Sequence, residues 1–203
     1  KSEEPNARAR LESIPGVKYV VPDEIVRVHM DASLPLINAP QAWSIVDGRD
    51  AAGSGVKVAI IDSGIVPEHP MFLDDNFDSP AQRPEDDYCA TVDIDFCSGK
   101  LIVARHYAPS EINEIEIDSP YDVDGHGTHV AGTAVGNRVI DALGVELSGV
   151  APGAYLMAYK ALWADGAGSA SGSTSGLLQA LEDAVSDGAD VINNSWGSSA
   201  STS

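Results

Sequence analysis

The chain has 203 residues, which is enough for one domain with a well-buried core, since domains commonly contain roughly 100–200 residues. Its 12 basic and 31 acidic residues give a net charge of −19, so neither nucleic acid nor an anionic membrane is an expected partner. No apolar stretch approaches the ~20 residues that span a bilayer, and no signal peptide is recognisable at the start. A soluble chain is expected, with any signal peptide already removed.

The first part of the chain differs in composition from the rest. Residues 1 to about 36 are charged at first and then rich in valine and isoleucine, and Pro22 and Pro35 interrupt this pattern. The pattern favours one or two short strands followed by an extended linker.

A buried strand is predicted at residues 56–61, VKVAII, because a continuous aliphatic run is typical of a strand covered on both faces of a parallel sheet. The run ends in Asp62, Ser63 and Gly64. A carboxylate is therefore expected at the carboxyl end of a central strand.

Residues 67–123 form a long acidic stretch with several prolines and a predicted strand at 100–107, and most of it is expected to be surface loop. Cys89 and Cys97 are the only cysteines, with seven residues between them. They could close a small disulfide loop in an oxidising compartment or remain two free thiols. Zinc is disfavoured, because a structural site needs four ligands and no second pair lies nearby.

Helices and strands alternate in the rest of the chain. The sequence predicts a helix with small residues at 128–136, a strand at 154–162 and a strand at 190–197, and the periodicity predicts an amphipathic helix at 174–187. A glycine- and serine-rich loop is expected at 164–176. This alternation predicts an α/β fold with a parallel sheet and right-handed crossovers, in which ligands bind at the carboxyl ends of the strands.

The segment DGHGTHVAGT, residues 124–133, sets His126 between two glycines where a helix is expected to begin. Gly125 and Gly127 remove side-chain bulk, which would leave the ring open to a substrate. The helix dipole at this end favours a neutral imidazole that can accept a proton. A carboxylate such as Asp62 could orient the ring through its other nitrogen, which makes His126 a candidate general base.

Each of these residues also permits a simpler interpretation. His126 could be a surface histidine in a glycine turn, and Asp62 could cap a turn. His126 and His129 could bind a metal only with a third ligand that the sequence does not identify, so no metal ligand is assigned. His129 is interpreted as a hydrogen-bonded structural histidine behind the helix. Asp122 and Asp124 are expected to be solvated loop carboxylates.

Four segments resemble the subtilisin-like serine proteases in their order and context: VAIIDSGI (58–65), DGHGTHVAGT (124–133), GVAPGAYLMAYKAL (149–162) and DVINNSWG (190–197). The resemblance covers roughly residue 32 to the end, and the histidine segment is highly specific to that family. It implies a three-layer α/β/α domain of a secreted endopeptidase that hydrolyses peptide bonds in proteins. Asp62 matches the aspartate of the family's Asp-His-Ser triad, and His126 matches its general base.

The resemblance also implies a peptide-binding site and bears on cofactors. The family binds its substrate as an extended strand between two stretches of enzyme backbone, which supply main-chain hydrogen bonds. The matching positions are Leu162, Gly166, Gly168, Ser195, Trp196 and Gly197. Calcium is common in the family, but no segment shows a recognisable ligand spacing, so no cofactor is assigned.

Residues 1–31 are similar to the end of the family's inhibitory propeptide, and residues 32–203 to the first part of its peptidase domain, with the acidic insertion at about 67–123. Residues 14–26 would be the closing strands of the propeptide, and the cleavage point is expected between His29 and Ala32. The propeptide is then a partner of the domain. An ordinary N-terminal extension is the alternative.

Two features depart from the family pattern. The interval from Asp62 to His126 is longer than in small bacterial members, and residues 97–107 resemble larger secreted members. The family's nucleophilic serine and oxyanion-hole asparagine lie beyond the strand predicted at 190–197, and neither occurs before Ser203. The resemblance therefore implies an amino-terminal half that is inactive without its carboxyl-terminal half.

A non-catalytic pseudoprotease or peptide-binding fragment is the main alternative, and a downstream Gly-Thr-Ser segment would distinguish the two. A nucleotide-binding α/β domain is disfavoured, because no glycine-rich phosphate loop follows the first strand. A half-sheet would expose an edge strand, which could pair with a second copy of the chain.

Overall fold

The structure of the chain, a computed structural model, describes residues 10, 14–17, 30–73, 77–78, 83–140, 144–166 and 168–197. Most of the strands predicted at 14–26 lie outside the described residues, as do Pro22 and His29. None of the described helices is long and apolar enough to cross a membrane.

Within residues 30–56, two short helices precede the sheet, α1 (Met30–Leu36) and α2 (Ala39–Trp43). The prediction of an extended linker up to residue 36 is wrong for its last residues, because Pro35 lies within α1. The fixed φ of proline is compatible with a helix, so Pro35 does not by itself enforce an extended chain. The indole Nε1 of Trp43 donates a hydrogen bond of 2.8 Å to the carbonyl of Val150, which ties α2 to the body of the domain.

The core is a four-stranded parallel sheet. Within the described residues the strands are β1 (Lys57–Asp62), β2 (Leu101–His106), β3 (Val139–Ile140), β4 (Glu146–Leu147), β5 (Tyr155–Lys160), β6 (Trp163–Ala164), β7 (Ala170–Ser171) and β8 (Val191–Asn194). The large sheet has the order β2-β5-β1-β8, while β3 with β4 and β6 with β7 form small antiparallel ribbons. The predicted α/β class with a parallel sheet is confirmed.

The other helices are α3 (Tyr88–Thr91), α4 (His126–Val135) and α5 (Thr174–Ser186), and 3₁₀ turns lie at Pro70–Phe72 and Ile94–Phe96. Helices α4 and α5 pack on opposite faces of the sheet. Val58 and Ile60 of β1 belong to the apolar cluster that contains Ala131 of α4. Ala59 and Ile61 belong to the cluster on the α5 face. Alternate residues of β1 thus face opposite layers, which explains its continuous aliphatic sequence.

The acidic insertion contains a packed substructure. Cys89 and Cys97 are joined by a disulfide, which is one of the two states that the sequence left open. The buried carboxylate of Asp87 accepts hydrogen bonds from the N–H groups of Ala90 in α3, at 2.9 Å, and Ala104 in β2, at 3.1 Å. Asp87 therefore caps the helix that carries Cys89 and attaches it to the sheet.

Candidate active site

Asp62 and His126 meet at the carboxyl edge of the sheet. Asp62 is the last residue of β1 and is completely buried, whereas His126 is the first residue of α4 and its side chain is 48% exposed. The Nδ1 atom of His126 lies 2.7 Å from Oδ1 of Asp62, and the N–H of Ser63 donates to the same oxygen at 2.8 Å. Because an ionised carboxylate only accepts hydrogen bonds, Nδ1 is the donor, and the neutral ring has its lone pair on Nε2.

The contact with Asp62 also sets the charge preference of the histidine. The hydrogen bond that His126 donates to Asp62 is the main cause that raises the pKa of His126 above its usual value, and the charges of Asp62, Asp124 and Asp122 act in the same direction. Partial desolvation opposes the shift. This contact therefore acts against the helix dipole, which was expected to help keep the ring neutral.

The two glycines beside His126 have different roles. Gly125 precedes α4 with a φ of +96°, a left-handed conformation that glycine adopts without strain. A Cβ on the buried Gly127 would lie 2.4 Å from the carbonyl oxygen of Gly64. Gly127 is therefore required by the close approach of α4 to the end of β1, in addition to the exposure of the ring that the sequence suggested.

Asp122 corrects a prediction, because it is buried rather than a solvated loop carboxylate. Its Oδ1 accepts hydrogen bonds from the hydroxyl of Ser63 at 2.9 Å and the N–H of Gly125 at 2.8 Å. Its Oδ2 accepts from the N–H of Thr128 at 2.8 Å and from the hydroxyl of Thr128 at 2.5 Å. The N–H of Gly127 in turn donates to the hydroxyl of Ser63 at 2.8 Å. Asp122 thus joins the end of β1 to the start of α4.

His129 differs from the prediction, because it is exposed rather than held behind the helix. Among the described residues, one group of three or more histidine, cysteine or acidic side chains is compact enough to hold a metal ion, and it consists of Asp87, Cys89 and Cys97. Its thiols form the disulfide, and both oxygens of Asp87 accept hydrogen bonds from backbone N–H groups. This group therefore does not fit calcium, which binds oxygen ligands.

One of the two predicted peptide-binding stretches follows β5. Residues 164–176 were expected to be a loop, but β6 and β7 form a β-hairpin there, and Gly166 and Gly168 are exposed at its tip with φ of +80° and +81°. Leu162 is buried, and its N–H donates to the carbonyl of Asp62 at 3.1 Å. Leu162 therefore connects the hairpin to the end of β1.

The second stretch follows β8 on the other side of β1. Ser195 and Gly197 are exposed. The indole Nε1 of the half-buried Trp196 donates to the carbonyl of Ile61 at 3.1 Å. Because β1 lies between β5 and β8, the two stretches leave the sheet on opposite sides of Asp62. Asp62 and the two predicted peptide-binding stretches therefore lie at or after the carboxyl ends of three neighbouring strands.

A buried ion pair beside this edge was not predicted. Lys160 lies opposite Asp62 in the register of β5 and β1, and its Nζ donates to Oε2 of Glu116 at 2.6 Å and to the carbonyl of Tyr121 at 2.7 Å. The other carboxylate oxygen of Glu116 accepts the N–H of Ala164 at 2.5 Å. Both charged side chains are completely buried. Lys160 could have indicated this ion pair, because a lysine in a buried strand needs a partner. Nothing in the sequence distinguishes Glu116 from its acidic neighbours.

These features define a three-layer α/β protein with a carboxylate–histidine pair between two exposed backbone stretches. Residues 53–203 match the family described as the Subtilase family. Subtilisin-like protease SBT2.6 of Arabidopsis thaliana is 34% identical over 211 residues, which cover 95% of this chain and 25% of that protein. Minor extracellular protease Vpr of Bacillus subtilis (strain 168) is 34% identical over 195 residues, which cover 96% of this chain and 20% of Vpr. The chain belongs to the subtilase family.

The chain spans about a quarter of the length of the plant relatives that it matches. Among solved structures, the S41 psychrophilic protease is 27% identical, with a TM-score of 0.44 and coverage of 78% of this chain and 43% of that one. A second solved structure, MycP1 with its N-terminal propeptide removed, is 21% identical, with a TM-score of 0.41 and coverage of 83% and 37%.

Proposed function

We propose that the chain forms the first part of the peptidase domain of a secreted serine endopeptidase, with Asp62 and His126 as two members of an Asp-His-Ser triad. The observation that carries the proposal is the 2.7 Å contact between a fully buried carboxylate and Nδ1 of a half-exposed histidine. This contact directs Nε2 away from Asp62, where it can accept the proton of a serine hydroxyl. Membership of the subtilase family supports peptidase chemistry.

In the proposed reaction, His126 takes the proton of the serine hydroxyl at Nε2 while the serine oxygen attacks the peptide carbonyl. The imidazolium then protonates the leaving amine. In the second half of the reaction His126 takes a proton from the water molecule that attacks the acyl-enzyme and gives it to the departing serine oxygen. Asp62 fixes the tautomer and stabilises the imidazolium. Its Oδ2 is buried without a hydrogen-bond partner among the described residues, so its negative charge is only partly compensated until the cation forms.

The nucleophile is assigned to sequence that follows residue 203 in the complete protein, because the 203 residues contain no Gly-Thr-Ser segment. The residues of this chain alone are accordingly proposed to be inactive. The substrate is a peptide segment of a protein, bound as an extended strand between the hairpin tip with Gly166 and Gly168 and the stretch Ser195–Gly197. The outer edge of β8 is proposed to pair with the rest of the domain, and pairing with a second copy is the alternative.

Residues 1–31 are proposed to be a propeptide remnant, and residues 32–203 part of the mature domain of a zymogen. Helix α1 begins at Met30, inside the expected cleavage interval of His29 to Ala32, so a site that binds extended strands could cut there only after the first turn unfolds. The Cys89–Cys97 disulfide supports an oxidising, extracellular location. No calcium ligand is proposed.

The test is hydrolysis of an unfolded protein by the full-length gene product and its His126→Ala variant. Hydrolysis should be lost with His126→Ala and retained with His129→Ala, a matched control that removes an exposed histidine one turn further along α4. Equal hydrolysis by the His126→Ala variant would refute the assignment of the base. If the folded full-length protein binds peptides but hydrolyses none, the pseudoprotease becomes the better account.

A further inference from the structure

We propose that Ile115, in the acidic insertion, is a specificity-determining residue that forms a wall of the peptide groove beside Gly166 and selects an apolar substrate side chain. The inference rests on the proposed function, because Gly166 lies on one of the two stretches assigned to peptide binding. It adds a segment that is distant in sequence from both stretches.

The position of Ile115 next to the hairpin tip is the first observation. A methyl group placed on Gly166 would lie 3.6 Å from Cδ1 of Ile115 and 4.0 Å from Nδ2 of Asn113. Gly166 is exposed, and Ile115 is 48% exposed. Because Gly166 has no side chain, a peptide can approach this backbone closely, and a substrate side chain directed to this side would meet Ile115.

The second observation is that the segment carrying Ile115 is firmly held. The N–H of Glu116 donates to the carbonyl of Asn113 at 2.9 Å, which closes a turn around Ile115. The buried carboxylate of Glu116 binds both Lys160 of β5 and the N–H of Ala164 in the hairpin. The insertion and the hairpin therefore form one unit, and Ile115 is positioned before any substrate binds.

The third observation concerns chemistry. Neighbouring positions 111, 114, 116 and 118 are acidic, so an exposed isoleucine is the apolar contact available at this point of the groove. A substrate side chain that covers Ile115 removes apolar area of both partners from water. The acidic neighbours suggest the alternative to an apolar preference, which is that Glu114 and Asp118 select a basic substrate side chain.

The experiment uses the full-length protein and a peptide library in which each position on either side of the cleaved bond is varied in turn. Ile115→Ala should lower kcat/KM by about tenfold for peptides with a large apolar residue at one position. For those peptides kcat should be unchanged and the loss should appear in KM. Peptides with alanine at that position should be cleaved almost as before. Ile117→Ala is the matched control, because Ile117 is 53% exposed in the same segment and has no such position beside Gly166.

Three results would overturn the inference. A uniform loss for all peptides would mean that Ile115 supports the structure of the site without selecting substrates. Unchanged selectivity, or a preference for basic side chains that Ile115→Ala leaves intact, would exclude Ile115 as the selecting residue. In those cases a downstream serine that still reacts with a fluorophosphonate preserves the proposed function, whereas a wild-type protein that neither reacts nor cleaves refutes both.

Discussion

His126 depends on Asp62 for both its orientation and its charge. The hydrogen bond raises the pKa of His126 above the ordinary histidine value of about 6.5. A general base must be neutral, so kcat/KM of the full-length protein should rise with pH through a pKa that lies above this value.

Asp62→Asn tests this dependence. The substitution removes the charge that favours imidazolium, so the acid limb of the pH profile should move to lower pH, and kcat should fall by about 10⁴. The measurement is kcat/KM against pH for both proteins. An acid limb that stays in place would show that another group controls the titration.

Asp122 gives a second prediction at this scale. Asp122→Asn would replace one carboxylate oxygen by an amide that cannot accept hydrogen bonds, which leaves buried donors of Ser63, Gly125 or Thr128 unpaired. The expected loss is roughly 2–4 kcal/mol of unfolding free energy, measured by chemical denaturation. Asp124→Asn is the control, because Asp124 accepts a single bond of 3.3 Å from the N–H of His126. Equal losses in the two variants would contradict the role assigned to Asp122.

Lys100 gives a third prediction, which concerns how the stability of the protein depends on pH. It is fully buried immediately before β2, where its Nζ donates to the carbonyls of Pro152 and Ala154, and burial lowers its pKa to about 7. The unfolded chain, with a lysine pKa near 10.4, binds more protons between about pH 7 and pH 10, so this residue makes stability increase with pH over that interval.

The difference in unfolding free energy between the wild type and a Lys100→Met variant tests that sign. The unfolding free energy of the wild type should increase relative to that of the variant by a few kcal/mol between pH 7 and pH 10. Thermal or urea unfolding of both full-length proteins at several pH values provides the comparison. A constant difference would mean that Lys100 titrates normally in the folded state.

Sequence patterns identified Asp62 and His126 because each stands next to a strong local signal, the end of an aliphatic run and a glycine-flanked helix start. Asp122 and Glu116 carry no such signal. Their burial depends on loops that close over them from distant parts of the chain, so both resembled ordinary residues of an acidic surface.

At the scale of elements, buried strands and long helices were predictable. The strand expected at 56–61 is Lys57–Asp62, and the helix expected at 174–187 is Thr174–Ser186. Continuous aliphatic runs and helical periodicity report burial directly. The hairpin of β6 and β7 was missed, because two-residue strands are too short to show alternation and the tip is rich in glycine.

The disulfide element gives a further prediction. The Cys89–Cys97 bridge closes a short loop and fastens α3 beside β2. Replacing both cysteines by serine should lower the unfolding free energy by about 2–3 kcal/mol, through the greater freedom of the unfolded chain. The wild type in reducing agent should unfold at the same temperature as the variant. An unchanged melting temperature in both cases would indicate that the capping by Asp87 holds this element without the bridge.

At the scale of the whole molecule, alternating strands and helices predicted the α/β class but not the strand order β2-β5-β1-β8. The order decides which strand ends lie together, and it places β1 centrally with its two neighbours leading into the exposed stretches. Strand order follows from the direction of the crossovers and the packing of helices on both faces, which no local pattern encodes.

The central claim is that Asp62 and His126 activate a serine supplied by the rest of the domain. The most direct test is the intact mass of the full-length, propeptide-free protein after treatment with a fluorophosphonate, followed by peptide mapping. The account predicts one adduct, on a serine beyond residue 203, that is lost in His126→Ala and kept in His129→Ala. A folded protein that acquires no adduct, or an adduct that persists in His126→Ala at the wild-type rate, would contradict it.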